Sequence, residues 1–309
     1  MDKKFLGKIM DDPWESLAKG PREVMQSIWE KYLVEVLGAS LKSGRVQKVR
    51  REIEKQADFP KIFQDWNNLS PQDRAKAWRP LMMAAKEKVQ AAQDRCVRCG
   101  ECCEISSPTL FALDLALFQK EILTWKEVYT LRPGEQVTSR EGKPETLREE
   151  RLKIREVPGS RQCWFYQAAT QVCRIYEDRP EQCRRQNCWG EPAPEPAPED
   201  FLTRRTLLSS VPEVWDLVQA HTERCASAQV SQGLKDLAAD NQEGAQTLFE
   251  ALHFDHYLRQ MLINEWELSP AATEFLLGRP LTELLPAHGL KAAMTPEGVF
   301  RLGPGSCGE

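Results

Sequence analysis

The chain has 309 residues, of which 41% are hydrophobic and 28% are charged, a balance that supports a folded core and argues against wholesale disorder. Its 42 Lys and Arg residues nearly balance 46 Asp and Glu residues, so we do not expect a dedicated nucleic-acid binder. Ten cysteines against four histidines are the unusual part of the composition, and they make sulfur chemistry the first question.

The N-terminus carries basic residues without an apolar run behind them, which does not predict a secretory signal. No stretch of about 18 apolar residues occurs, so we predict no membrane insertion. We therefore expect a cytoplasmic protein. In that compartment thiols stay reduced, and clustered cysteines more often bind metal than form disulfides.

Residues 1–93 are predicted to form a helical N-terminal region. Apolar residues at three- and four-residue steps from Val24 to Leu37 predict a helix that Gly38 ends. Ser70 followed by Pro71 predicts a second helix, which runs toward Arg95 and which Pro80 kinks or restarts. The basic segment 41–55 reads as a solvated helix face, because no aromatic residues interleave with its charges.

Residues 94–190 are predicted to form an irregular cysteine module. Its first half has a helical apolar pattern over 110–122, a capping box at Thr124–Glu127 and a turn at Arg132–Glu135. Further on, two aromatic and β-branched runs predict a short β-hairpin with Cys163 and Cys173 on neighbouring strands.

Residues 191–200 alternate Pro with other residues and predict an extended linker. Residues 201–309 are predicted to form a helical C-terminal region, with helices that begin near Ser210, Gly244 and Ser269 and a frayed tail. The predicted fold class is mainly α: helical flanks around a small irregular metal-organised cysteine module with a short β-hairpin.

The first cysteine cluster has the spacing of a metal-binding turn. Cys96, Cys99 and Cys102 match the first three positions of a bacterial ferredoxin-type run, but Ser106 stands where its fourth cysteine would be. Adjacent side chains of an extended segment point to opposite sides, so Cys102 and Cys103 either serve two sites or include a spare.

The possible partners of this cluster are Cys163, Cys173, Cys183 and Cys188, which are too widely spaced for one knuckle but suit a hairpin and a following turn. Eight thiolates make two four-ligand sites, or one cluster with spare cysteines. An iron–sulfur cluster, of the 4Fe-4S type, and Zn²⁺ both accept all-sulfur ligation, and the ferredoxin-like spacing favours iron–sulfur. A disulfide framework and unliganded buried thiols are the remaining alternatives.

Taken together, the cysteine spacings and the segment Ile175–Pro180 resemble those of the CxxCxxCC family of zinc- or iron-chelating proteins, also called YkgJ-type cysteine cluster proteins. The resemblance spans about residues 94–188. It implies that all eight cysteines bind metal.

Several arginines lie among these cysteines in the sequence. A four-thiolate zinc site or a reduced iron–sulfur cluster carries net negative charge, which guanidinium groups can offset. We therefore predict a supporting role, one layer outside the ligands, for Arg174, Arg179 and Arg184.

The leading functional prediction is a metal-binding cysteine-cluster protein with a redox, maturation or scaffold role, whose helical flanks present the module to a protein partner. One alternative is a protein-modifying enzyme, because the module also resembles that of flagellin lysine methylases; no catalytic residue is assigned. A purely structural zinc scaffold for protein–protein contact is the other. Outside the module, Cys225 is predicted to be a buried small hydrophobe and Cys307 a tail thiol.

Overall fold

The structure is a computed structural model that describes residues 13–37, 40–55, 59–93, 96–138, 142–170, 172–186, 194–239 and 241–304. Helices dominate these residues, and their strands pair only into small two-stranded antiparallel sheets. The mainly α prediction is confirmed. The chain forms two compact units: Met1–Cys102 with Tyr166–Arg174 and Arg185–Pro194, and Cys103–Phe165 with Ile175–Arg184 and Glu195–Glu309.

Helices with a shared apolar core make up most of the first unit. They are α1 (Pro13–Lys19), α2 (Arg22–Leu37), α3 (Gly44–Glu54), α4 (Phe59–Asp65) and α5 (Pro71–Gln93). The predicted stripe on α2 is confirmed, because Met25, Ile28, Trp29, Tyr32, Leu33 and Leu37 are all buried. Trp29 and Trp66 each make an edge contact with Trp78, so three buried indoles lie at the centre.

Pro80 does not end α5. The Ser70 hydroxyl accepts a hydrogen bond from Asp73 N at 3.2 Å, as the predicted start requires. The helix then continues through Pro80 to Gln93, so the predicted restart is wrong, while the alternative, a kink at Pro80, stays a prediction. A proline removes one helical N–H bond. Burial of Trp78 and Leu81 on either side holds the helix together. Arg95 lies outside the described residues.

The second unit begins with short elements. Its strands β1 (Val128–Leu131) and β4 (Arg151–Ile154) pair with each other, as do β2 (Gln136–Thr138) and β3 (Pro144–Thr146). The predicted turn at Arg132–Glu135 joins β1 to β2, and Thr124 N donates to the Glu127 carboxylate at 2.8 Å in the predicted capping box.

The helix predicted over 110–122 is much shorter. Only a 3₁₀ helix at Ala112–Asp114 and α7 (Leu115–Gln119) form there. Leu110 N donates to Leu152 O at 2.8 Å, and Phe111 pairs with Phe201, so this end of the segment is held in strand-like pairing.

Helices of the predicted C-terminal region follow: α9 (Arg204–Leu207), α10 (Pro212–Arg224), α11 (Ser227–Ala238), α12 (Gln242–Asn264), α13 (Pro270–Leu277) and α14 (Leu281–Leu284). Three of them match the predicted starts, and the Ser269 hydroxyl caps α13 by accepting from Ala272 N at 3.2 Å. Helix α11 and the hairpin of β7 (Leu290–Met294) with β8 (Phe300–Pro304) were not predicted.

Residues 194–197 have no regular structure, and a 3₁₀ helix occupies Pro198–Asp200. The rest of the predicted linker, residues 191–193, and residues 305–309 with Cys307 lie outside the described residues. None of the helices that the structure describes is long and apolar enough to cross a bilayer.

Candidate metal centre

The first three cysteines lie around a loop that leads into the one-turn helix α6 (Glu101–Ile105). Residues 96–100 have no regular structure, and Cys96, Cys99 and Cys102 are half-buried. Arg98 N donates to Cys96 Sγ at 3.4 Å. A backbone N–H directed at sulfur stabilises the thiolate form, the form that binds metals. This local geometry fits a thiolate ligand.

Gly100 joins this loop to a hairpin in the same unit. Its φ is +83°, and the hydroxyl and ring of Tyr166 occupy the space that a side chain at residue 100 would need. Tyr166 lies in β5 (Tyr166–Gln167), directly opposite Cys173 in β6 (Val172–Cys173). Glycine therefore lets the first cluster pack against the hairpin that carries Cys173.

The predicted hairpin exists, but its register differs from the prediction. Cys173 faces Tyr166, whereas Cys163 precedes the hairpin and pairs with Glu156 in an isolated bridge. The prediction that Cys163 and Cys173 lie on neighbouring strands is therefore wrong. The strands have two residues each, so the aromatic run that begins at Cys163 extends beyond the paired residues.

Cys103 and Cys163 come together in the second unit. Cys163 N donates to Cys103 O at 2.7 Å, and Cys163 is buried with 7% exposure. This backbone hydrogen bond brings two cysteines 60 positions apart in the chain into direct contact.

Cys183 lies on the one-turn helix α8 (Glu181–Arg185), which side chains from elsewhere in the second unit hold in place. Asp114 Oδ1 accepts from Glu181 N at 2.8 Å, and Gln182 Oε1 accepts from Thr109 N at 2.6 Å. Burial raises the pKa of the Asp114 carboxyl. Asp114 is a positioning residue that sequence reasoning missed; its only sign was an acidic residue inside an apolar pattern.

The structure thus divides the predicted ligands between the two units. Cys96, Cys99, Cys102 and Cys173 belong to the first, and Cys103, Cys163 and Cys183 belong to the second. The boundary falls between the adjacent Cys102 and Cys103, within α6. Cys188 lies outside the described residues.

The predicted supporting arginines contact the chain around Cys183. Arg179 donates from Nη1 to Tyr176 O at 2.8 Å and stacks on the Tyr176 ring, while Arg184 donates to Arg179 O at 3.0 Å and to Glu177 O at 2.6 Å. Arg174 is exposed just after β6. Arg179 and Arg184 therefore brace the turn at 176–179, and their role toward sulfur stays a prediction.

Apolar packing contributes little to the helices that carry cysteines. Neither α6 nor α8 buries a single residue. The predicted ligands offer only sulfur, a soft donor that suits zinc and iron–sulfur clusters. The chemistry of the donor set therefore fits a metal centre, and a bound ion would supply the cross-links that these short helices lack.

A second group of potential ligands, which the sequence did not reveal, lies in the second unit: His221, Cys225 and Asp255, with ligand atoms within 4.8 Å of one another. Asp255 already accepts from His221 Nε2 at 2.7 Å, from Leu281 N at 3.0 Å and from the Arg259 guanidinium at 2.9 Å. Burial raises the pKa of the Cys225 thiol to about 12, which keeps it protonated. This group is a hydrogen-bonded hub, and Cys225 is buried as predicted.

Residues 95–206 match a family described as "CxxCxxCC: Putative zinc- or iron-chelating domain". The match confirms the resemblance predicted from the cysteine spacings, and it covers all eight module cysteines. No curated protein and no solved structure matches the chain.

Proposed function

We propose that this protein carries a metal centre built from thiolates of the eight module cysteines, and that the metal is iron in an iron–sulfur cluster of the 4Fe-4S type. The proposed ligands are Cys96, Cys99, Cys102, Cys103, Cys163, Cys173, Cys183 and Cys188. The packing of Gly100 on Tyr166, directly opposite Cys173, carries the proposal. When bound, such a cluster supplies one-electron transfer.

Cys173 is proposed as the fourth ligand of the first set. The ferredoxin-type spacing supplies three thiolates and leaves Ser106 at the fourth position. Side chains directly opposite in an antiparallel pair have Cβ atoms about 5 Å apart, so the position of Tyr166 against Gly100 keeps Cys173 close to the loop. Cys173 can thus replace the missing cysteine.

Cys103, Cys163 and Cys183 are proposed as a second ligand set. The backbone hydrogen bond between Cys103 and Cys163 supports this grouping, as does the assignment of all three to one compact unit. Two sets explain why two cysteines stand side by side at 102 and 103. Cys188 is proposed as a ligand from the sequence alone.

We infer a role in the cytoplasm, where thiolates stay reduced. In this role the centre transfers electrons or takes part in cluster maturation, and the helices around it contact a protein partner. Arg174, Arg179 and Arg184 add positive charge next to the proposed ligand Cys183 and after Cys173, which offsets the negative charge of a thiolate-bound cluster.

Metal analysis of full-length protein purified without oxygen tests the proposal. About four iron and four sulfide for each cluster, with a brown colour, are expected. Stoichiometric zinc without sulfide would contradict the iron–sulfur cluster and support the structural zinc alternative. Absence of both metals would contradict the metal centre itself.

A pair of cysteine variants tests the ligand assignment. Cys173→Ser is expected to lose the metal of the first set, because serine oxygen is a poor replacement for sulfur. Cys225→Ala is the matched control, because it removes a buried cysteine outside the module. It should retain wild-type metal content. A Cys173→Ser protein with the wild-type iron, sulfide and absorption spectrum would contradict the assignment.

A further inference from the structure

Two buried arginines in the second unit have hydrogen-bond donors without an acceptor. Arg132 and Arg259 are 2% and 7% exposed, and the Nη1 atom of each is buried and has no hydrogen-bond partner within the part of the chain that the structure describes. Each Nη1 carries two N–H bonds. Buried donors of charged groups are costly to leave unpaired, so folded proteins rarely do so. These four N–H bonds therefore indicate an acceptor that the described residues do not supply.

The two guanidinium groups meet at one turn. Arg132 Nη2 donates to Arg279 O at 3.1 Å, and Arg259 Nη2 donates to Gly278 O at 2.8 Å. Gly278 has φ +76°, and a side chain there would lie 3.1 Å from Arg132 Nε. The arginines bind successive carbonyl groups of this turn, and both act electrostatically on His221 and Cys225, which places them around one buried polar group.

The charges of this cluster favour an anion. Glu135 accepts from Arg132 Nε at 2.8 Å and from Arg279 Nη2 at 2.7 Å, and Asp255 accepts from Arg259. Three guanidinium groups therefore share two carboxylates within the hydrogen-bonded set. Glu283 is exposed and accepts none of these hydrogen bonds, but its charge acts on Arg279 and Arg259. The unpaired donors belong to two positively charged groups, which favours a negatively charged acceptor.

We propose that Arg132 and Arg259 bind a monovalent anion of halide size through their Nη1 atoms. The burial of both guanidinium groups favours a small ion, and their positive charge favours a negative one. The anion joins the β1–β2 turn, helix α12 and the turn before α14, so it stabilises the second unit.

Two neighbouring polar atoms also lack partners among the described residues. Ser227 Oγ is buried, and the Ser227 side chain contacts Gly134 in the turn that Arg132 begins, so its hydroxyl can add a donor. His221 Nδ1 is also buried, but it is an acceptor and not a donor. His221 Nε2 faces Asp255, and burial lowers the pKa of the imidazole, so Nδ1 is an acceptor that takes no part in anion binding.

Bromide soaked into crystals of the full-length protein tests the location. Bromide scatters anomalously, so an anomalous peak within hydrogen-bond distance of both Nη1 atoms is expected. A water molecule or no density at that point, with bromide bound elsewhere on the protein, would overturn the proposal.

Thermal unfolding in solution tests the binding energy. Replacing chloride by gluconate at equal ionic strength should lower the melting temperature of the wild type. Well above the dissociation constant, each tenfold increase in chloride should raise the folded-to-unfolded ratio about tenfold.

Arg132→Lys should abolish this dependence, because lysine keeps the charge and lacks Nη1. Arg204→Lys is the matched control, since Arg204 is equally buried but its nitrogens all find acceptors on Glu150 and Leu276. Arg204→Lys should keep the chloride dependence. A wild type whose melting temperature ignores chloride would overturn the proposal, whether or not the variants fold.

Discussion

The N-terminal helices and the cysteine loop lie in the same unit but depend on different interactions. The helices bury Trp29, Trp66 and Trp78 completely, and apolar contact holds them together. The loop at 96–100 has no regular structure, and α6 buries no residue. The difference predicts that the helices fold without metal, whereas the cysteine loop depends on the proposed ion to stay ordered.

Trp29→Ala should produce the largest loss of stability and leave metal content unchanged. Removing a fully buried tryptophan costs about 3–5 kcal/mol of unfolding free energy, because it leaves a cavity among the other indoles. Denaturant unfolding, followed by the circular-dichroism signal of the α-helices, measures this loss of unfolding free energy. Trp266→Ala is the control, since Trp266 is 47% exposed, and a similar loss there would contradict the account.

Gly100→Ala should have the opposite effect to Trp29→Ala: it should lower the metal content and leave the helices folded. An alanine at positive φ costs about 1–2 kcal/mol, and its Cβ would also collide with Tyr166. Gly159→Ala is matched to it, because Gly159 has φ +74° but open space around it. Iron and sulfide content should fall only in Gly100→Ala, and equal metal in both variants would contradict the proposed packing.

Asp114→Ala should have a more local effect, confined to the second ligand set. It removes the acceptor for Glu181 N at the start of α8 and for Phe111 N, and each lost hydrogen bond to a buried carboxylate costs about 1–3 kcal/mol. Faster amide exchange in α8, with unchanged exchange in α2, is the expected result. Unchanged exchange in α8 would show that Asp114 does not position Cys183.

His221 should give the smallest effect, a modest pH dependence of stability. Burial lowers the pKa of the folded-state imidazole below 6.5, so the unfolded chain binds more protons when the pH falls through that value. Stability is therefore complete above pH 6.5 and decreases toward lower pH. The difference in melting temperature between pH 7.5 and 5.5 should shrink in His221→Gln, and an equal difference in both proteins would contradict this sign.

Local features were predictable from the sequence, and long-range pairings were not. The stripe of α2 and the caps at Ser70 and Ser269 depend on residues a few positions apart, which periodicity reveals. Strand β1 meets β4 through Val128 and Ile154, and short strands give no local sign of a distant partner.

The same distinction applies to the candidate site. The spacing of the cysteines predicted sulfur ligation, because it reflects local turns. It did not predict that Cys173 faces Tyr166 or that Cys163 contacts Cys103, because register depends on side-chain packing. The hub around Asp255 also went unpredicted, since His221 and Leu281 lie on other helices.

Amide hydrogen exchange of the full chain, with its metal and after anaerobic chelation, tests the central claim most directly. The account predicts that chelation removes protection in α6 and α8 and around Cys173, while protection of Arg22–Leu37 in α2 is unchanged. Exchange in the cysteine segments that is the same before and after chelation would contradict the claim that metal organises them.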